Sequence, residues 1–188
     1  MIKLINVYKK FDDLKLLENF DISFEESKIT CLFGPSGVGK TTIANIAANL
    51  ISVDKGEVTG LEKAVYSYVF QEPRLLRWYS VYENIDFVLK DVYDDKERVR
   101  IINNYIDLVE LRGYEDYKPD ALSGGMCQRV SLARAFAYPS NFLILDEPFK
   151  GLDLKLKNEM IALFKKLWIE SKRTVLFITH DADEAVTL

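Results

Sequence analysis

Three short apolar runs, Ile29 to Phe33, Phe142 to Leu145 and Val175 to Ile178, are bounded by polar or turn residues. Unbroken apolarity of that length suits parallel strands covered on both faces. Each run leads into a polar cluster, and open α/β sheets gather active groups beyond the carboxyl ends of their strands. The first part of the chain reads differently. Ile2 to Tyr8 and the alternating Phe20 to Phe24 predict strands, as do Glu57 to Gly60 and Val65 to Phe70.

Helical spacing lies between these runs. Leu156, Met160, Leu163, Phe164 and Leu167 form an amphipathic stripe, with Asp153 as N-cap. Ile102, Ile106 and Val109 make a similar stripe within 97–111. Ser80-Val81-Tyr82-Glu83 has capping-box spacing and predicts another helix start. The pattern is a β-rich beginning, a helical stretch from about 80 to 115, and an α/β core around both.

Composition narrows the classes. A chain of 188 residues with 48% hydrophobic content can bury a sizeable core and reads as one domain over 1–188. A net charge of -4 disfavours direct nucleic-acid binding, which usually shows as a basic patch. Cys31 and Cys127 have no metal-ligand spacing, and Cys31, inside an apolar run, is expected in the core. Met1 to Asn6 lack the long apolar stretch of a signal peptide, and no segment approaches the ~20 apolar residues that cross a bilayer. The expectation is a cytoplasmic chain that meets the membrane only through a partner.

Gly34-Pro35-Ser36-Gly37-Val38-Gly39-Lys40-Thr41 matches G-x-x-x-x-G-K followed by Ser or Thr. It follows a strand and precedes a helix predicted to run through Ile43, Ala44, Ile46, Ala47 and Leu50, the context this phosphate loop requires. Its backbone N–H groups and the helix N-terminus can cradle phosphate. Lys40 supplies a point charge to the β- and γ-phosphates, and the Thr41 hydroxyl, next to Thr42, can ligate Mg²⁺. Asp146 and Glu147 end the second apolar run. Alternation along a strand separates their directions, so Asp146 is the candidate Mg²⁺ holder and Glu147 the candidate general base. His180, the single histidine, ends the third run at the same edge and could reach the γ-phosphate or the attacking water.

Leu122-Ser123-Gly124-Gly125-Met126-Cys127-Gln128-Arg129 opens a helical run through Val130, Leu132, Ala133 and Phe136. Ser123 suits an N-cap, and Gly124 and Gly125 expose a second anion-binding helix start. Two phosphate cradles in one chain suggest that two copies share each nucleotide.

With this motif between the phosphate loop and the acidic pair, the whole chain resembles the ABC transporter ATP-binding subunits. The resemblance implies an α/β P-loop NTPase core with a mostly parallel sheet, an N-terminal antiparallel β subdomain and an inserted α-helical subdomain. Residues 1–71, 72–121 and 122–188 would be the β and phosphate-loop part, the helical part, and the signature helix with the remaining core. It implies a Mg²⁺-dependent ATPase with ATP sandwiched between two copies paired head to tail. Phe11 would stack on adenine, Gln71 would sense Mg²⁺, and Ser123, Gly124, Gly125 and Asp153 would act across the dimer. Phe70-Gln71-Glu72-Pro73-Arg74-Leu75-Leu76 and Asp146-Glu147-Pro148-Phe149 look closest to importers of nitrate, sulfonates, taurine and pyrimidine precursors. Arg77, Met126, Cys127 and Lys150 depart from the commoner residues of that group. Family members continue further beyond the histidine, so the chain reads as a short or truncated member.

The implied partners are a second copy, membrane permease subunits and, through them, a substrate-binding protein. Trp78, Tyr79 and Tyr82 would either face a permease helix or fill the helical core. A non-transport ABC ATPase, or an ATP-gated module with little turnover, are the alternatives.

Overall fold

The computed structural model describes residues 1–188. Its first half contains β1 (Ile2–Phe11), β2 (Leu14–Phe24), β3 (Ile29–Phe33), α1 (Lys40–Ala47), β4 (Lys55–Thr59), β5 (Tyr66–Val69) and α2 (Val81–Asp86). Then follow α3 (Asp95–Leu108), α4 (Gly124–Ala137), β6 (Phe142–Asp146), α5 (Leu154–Ser171), β7 (Thr174–Thr179) and α6 (Ala182–Thr187). The chain divides into two units: Met1–Tyr66 with Ser140–Glu147 and Lys172–Leu188, and Ser67–Pro139 with Pro148–Ser171.

The first unit holds an antiparallel sheet in which β1 lies between β2 and β4. Ile2 and Leu4 alternate into the core, and then the pairing register shifts, so that the next buried residue is Val7. Such an irregularity re-phases the inward face, which strict alternation does not predict. In the parallel sheet of this unit β7 runs between β3 and β6. All six residues of β7 are buried, as are Phe142 to Leu145 of β6. Phe24 meets Phe142 edge-on with ring centroids 5.3 Å apart, bringing β2 onto this core.

Two expectations need correction here. The run Ile29–Phe33 is not covered on both faces: four of its residues, Cys31 included, are half-buried and Phe33 is 58% exposed. It lies at the edge of the sheet, so apolar composition alone does not place it centrally. Helix α1 also stops before Leu50. Asn49 takes φ 58, and the N–H of Leu50 turns back to the Asn45 carbonyl at 2.8 Å. That left-handed residue closes the helix and leaves Leu50 exposed.

The second unit is helical apart from most of β5. Ser80 and Glu83 form the reciprocal capping box of α2, and Asp94 caps α3 through the N–H of Glu97. The predicted stripes face inward: Ile102, Ile106 and Val109 are buried, as are Met160, Leu163, Phe164 and Leu167. Phe136 of α4 meets Phe164 of α5 with centroids 6.1 Å apart. Fully buried Asn84 donates its amide to the carbonyls of Leu76, Tyr79 and Ser80 and accepts from the N–H of Leu76. Its amide N–H groups and its carbonyl oxygen are all engaged in holding the turn that carries Trp78.

Candidate functional site

Register decides which residues share an edge of the parallel sheet. Phe33 pairs with Thr179, and Asp146 with Ile178. The loop 34–39, the acidic pair and His180 therefore leave the first unit's sheet together, at its carboxyl edge.

The phosphate loop is closed by Gly39, which caps α1 at φ 97. A Cβ there would stand 3.0 Å from the Leu16 side chain of β2, so the backbone conformation demands glycine and a side chain would also press on Leu16. Pro35 to Val38 are exposed, while Lys40 is buried. The Lys40 ammonium donates to the carbonyls of Gly34 at 2.7 Å and Pro35 at 2.8 Å. An ammonium has three donors, so one is left to aim at a phosphate held over the loop. Thr41, exposed, and Thr42, half-buried, stand in the first turn of α1, whose N–H groups lack intrahelical acceptors.

Asp146 is the last residue of β6. Glu147 leaves the strand with φ 48, and its N–H still donates to the Ile178 carbonyl at 2.9 Å. Strand alternation was the expected reason for the two acids to diverge; the left-handed turn at Glu147 is a second one. The His180 Nδ1 stands 3.3 Å from Glu147 Oε2, with side chains 43% and 11% exposed. Lys40, Thr41, Asp146, Glu147 and His180 thus all belong to the first unit. Phe11, also in this unit, ends β1 with its ring 44% exposed and the Lys9 ammonium 5.4 Å from its centroid.

The second unit carries Gln71, Ser123, Gly124, Gly125 and Asp153. Gln71 is exposed just beyond β5, next to Phe70, which stacks on Tyr68 at 4.2 Å and under the Arg74 guanidinium at 3.8 Å. Ser123 caps α4, accepting from the Met126 N–H at 3.2 Å. A Cβ on Gly124 would meet open space, whereas one on Gly125 would stand 2.9 Å from Leu156. A side chain at Gly125 would displace the end of Leu156 on α5, and Gly124 leaves its face of the helix start open. The Asp153 carboxylate caps α5 through the N–H of Leu156 at 3.0 Å.

Sequence reasoning overlooked several supporting residues. Gln128 donates to the Pro148 carbonyl, fastening the signature helix to the loop that follows the acidic pair. Arg134, half-buried, donates to the carbonyls of Pro73 and Arg74, both at 3.1 Å, and desolvation holds its pKa below the ordinary guanidinium range. Thr179 and Glu184 bond to one another beside His180. Only the last pair had a local signal, a carboxylate one helical turn beyond His180.

A family model described as ABC transporter matches residues 17–150. The aliphatic sulfonates import ATP-binding protein SsuB of Zymomonas mobilis is 39% identical over 193 aligned positions, covering 100% of this chain and 78% of that protein. The spermidine/putrescine import ATP-binding protein PotA of Clostridium novyi is 37% identical, with 100% of this chain matching 57% of its length. Among solved structures, the dimeric post-hydrolysis state of the ATP-binding cassette MJ0796, bound to ADP and Pi, superimposes with a TM-score of 0.85. That cassette is 31% identical, over 100% of this chain and 91% of its own.

Proposed function

The chain belongs to the ABC transporter family as one of its ATP-binding, ATP-hydrolysing subunits, and on that basis we propose that it energises an importer, with ATP held between two copies paired head to tail. The observation that carries this reading is the shared edge of the first unit's parallel sheet, where Lys40, Asp146, Glu147 and His180 stand on three adjacent strand ends. The dimeric form of the similar cassette MJ0796 supports the pairing.

Phe11 stacks on the adenine, and the backbone of Gly34, Pro35, Ser36, Gly37, Val38 and Gly39 wraps the phosphates. Lys40 and the first-turn N–H groups at Thr41 and Thr42 neutralise their charge. Within the first unit the donors available to a cation are the Thr41 hydroxyl and the Asp146 carboxylate. These are hard oxygen ligands, and no cluster of three or more His, Cys, Asp or Glu side chains forms a cage for a metal. That set fits Mg²⁺ carried mainly by the nucleotide's own phosphates. Bound there, Mg²⁺ would neutralise charge developing on the β- and γ-oxygens. Glu147 takes the proton of the attacking water, and His180 orients Glu147 and the γ-phosphate. Ser123, Gly124 and Gly125 of the second copy complete the phosphate shell, with Asp153 alongside.

Relatives of nearly equal identity are named for an anionic cargo and for a polyamine. Cargo selectivity therefore belongs to a permease and its binding protein, not to this subunit. No helix is long and apolar enough to cross a membrane; in this reading the permease holds the subunit at the inner face of the cell membrane. The docking surface is the ledge around Trp78, which is 66% exposed. Trp78 meets Tyr79 at 6.1 Å, and Tyr79 meets the half-exposed Phe87 at 5.9 Å, whereas Tyr82 is half-buried in the helical packing.

The decisive measurement is ATP turnover by the purified chain, alone and reconstituted with its permease. Mg²⁺-dependent hydrolysis that rises on reconstitution is expected. Stoichiometric ATP binding without turnover in either state would instead favour an ATP-gated module.

A further inference from the structure

Thr179, the last residue of β7, is 2% exposed, as is Glu184. The Thr179 hydroxyl donates to Glu184 Oε2 at 2.6 Å and accepts from the Asp181 N–H at 3.0 Å. The Asp181 carboxylate in turn accepts from the N–H groups of Asp183 at 2.9 Å and Glu184 at 3.3 Å. The backbone of His180 is consequently held on both sides: Thr179 by the sheet and by Glu184, Asp181 by the Thr179 hydroxyl. Only the two side-chain torsions of His180 stay free to place its imidazole.

The other member of the pair is anchored to the same place. The Glu147 N–H donates to the carbonyl of Ile178, one residue before Thr179. Both ends of the 3.3 Å contact between His180 and Glu147 are therefore referred to the last two residues of β7. A carboxylate as buried as that of Glu184 costs free energy unless it is hydrogen-bonded. A packed apolar residue would serve stability as well, so the hydrogen-bonded carboxylate calls for another reason.

We propose that the Thr179–Glu184 hydrogen bond is a positioning device for hydrolysis, setting the imidazole of His180 against Glu147. The proposal rests on the ATPase reading above, and it assigns roles to two buried residues that act through His180. Displacements near 1 Å in such constellations cost roughly 10²-fold in rate, so partial release of His180 corresponds to about ten-fold.

The test uses Thr179→Val, which keeps the shape and removes both hydrogen bonds, and Thr179→Ser, which keeps them. His180 is the only histidine, so the full chain gives one imidazole Cε1–H resonance. Glu147→Gln should displace that resonance in the native and Thr179→Ser backgrounds, and displace it by less than about a third as much in Thr179→Val. An equal displacement in all three overturns the proposal, whether or not the chain hydrolyses ATP. In turnover, Thr179→Val should lower kcat about ten-fold with KM for ATP unchanged, Thr179→Ser should restore it, and in a His180→Ala background Thr179→Val should cost less than about two-fold more. The same loss in both backgrounds would mark a general effect on the fold and sink the idea. An inactive native chain would refute the ATPase reading, leaving the resonance to judge the contact. Should Thr179→Val not fold, Thr179→Cys, of similar volume with a weakly bonding thiol, is held to the same outcomes.

Discussion

His180 Nδ1 lies 3.3 Å from Glu147 Oε2, although the two residues follow different strands and are separated by the whole of α5 and β7. Glu147 enters this contact from a left-handed backbone turn that a non-glycine residue adopts only when its surroundings enforce it. Glu147→Gln keeps the shape of the side chain and removes its basicity. Hydrolysis should fall by at least about 10²-fold with nucleotide affinity preserved, and an ATP-bound dimer should accumulate in size-exclusion chromatography with light scattering. Near-native turnover in this variant would remove Glu147 as the base.

Lys40 is buried against two carbonyls of its own loop. Lys40→Met should keep the fold, because an apolar stem can occupy the same space. It should weaken ATP binding by about 10-fold or more through loss of the charge. Calorimetric titration with ATP reads this directly, and unchanged affinity would mean that the loop binds phosphate through its backbone alone.

The signature helix start offers a contrast within two residues. Ser123→Arg should abolish ATP-driven dimerisation while circular dichroism stays native. Gly125→Ala, which presses a methyl group toward Leu156, should cost about 1 kcal/mol of stability. Gly124→Ala meets open space and should leave the melting temperature unchanged.

Arg134 holds two backbone carbonyls of the segment following Gln71. Arg134→Met removes both bonds and leaves the carbonyls of Pro73 and Arg74 without these donors. A loss of about 1–3 kcal/mol is expected in urea denaturation. Amide exchange should rise first over residues 72–77, and uniform exchange across α4 would argue for a global effect instead.

Burial raises both thiols, with the charge of Glu184 adding for Cys31 and that of Asp120 for Cys127. A raised thiol pKa keeps the neutral form in the folded chain. Alkylation by iodoacetamide near neutral pH should then be slow until denaturant is added. The associated stability is fully present below the ordinary thiol pKa and is lost as pH rises through the higher folded values. The melting temperature of a Cys31→Ser, Cys127→Ser chain should accordingly fall less at alkaline pH than that of the native chain.

Much of this protein is written locally. The phosphate loop needs a strand, glycines that accept unusual backbone angles, and a helix start, all within some fifteen neighbouring positions. The caps at Ser80, Ser123 and Asp153 were legible because a short polar side chain bonds its own backbone two or three residues on. The stripes of α3 and α5 were legible because a helix repeats its face every few residues. Register was not, because it depends on which strands pair. Only pairing placed Phe33 beside Thr179 and Asp146 beside Ile178, left β3 at an edge, and brought His180 to Glu147. Residue type pointed to candidate groups; long-range packing decided which of them meet, since contact across 33 residues of chain has no local signature.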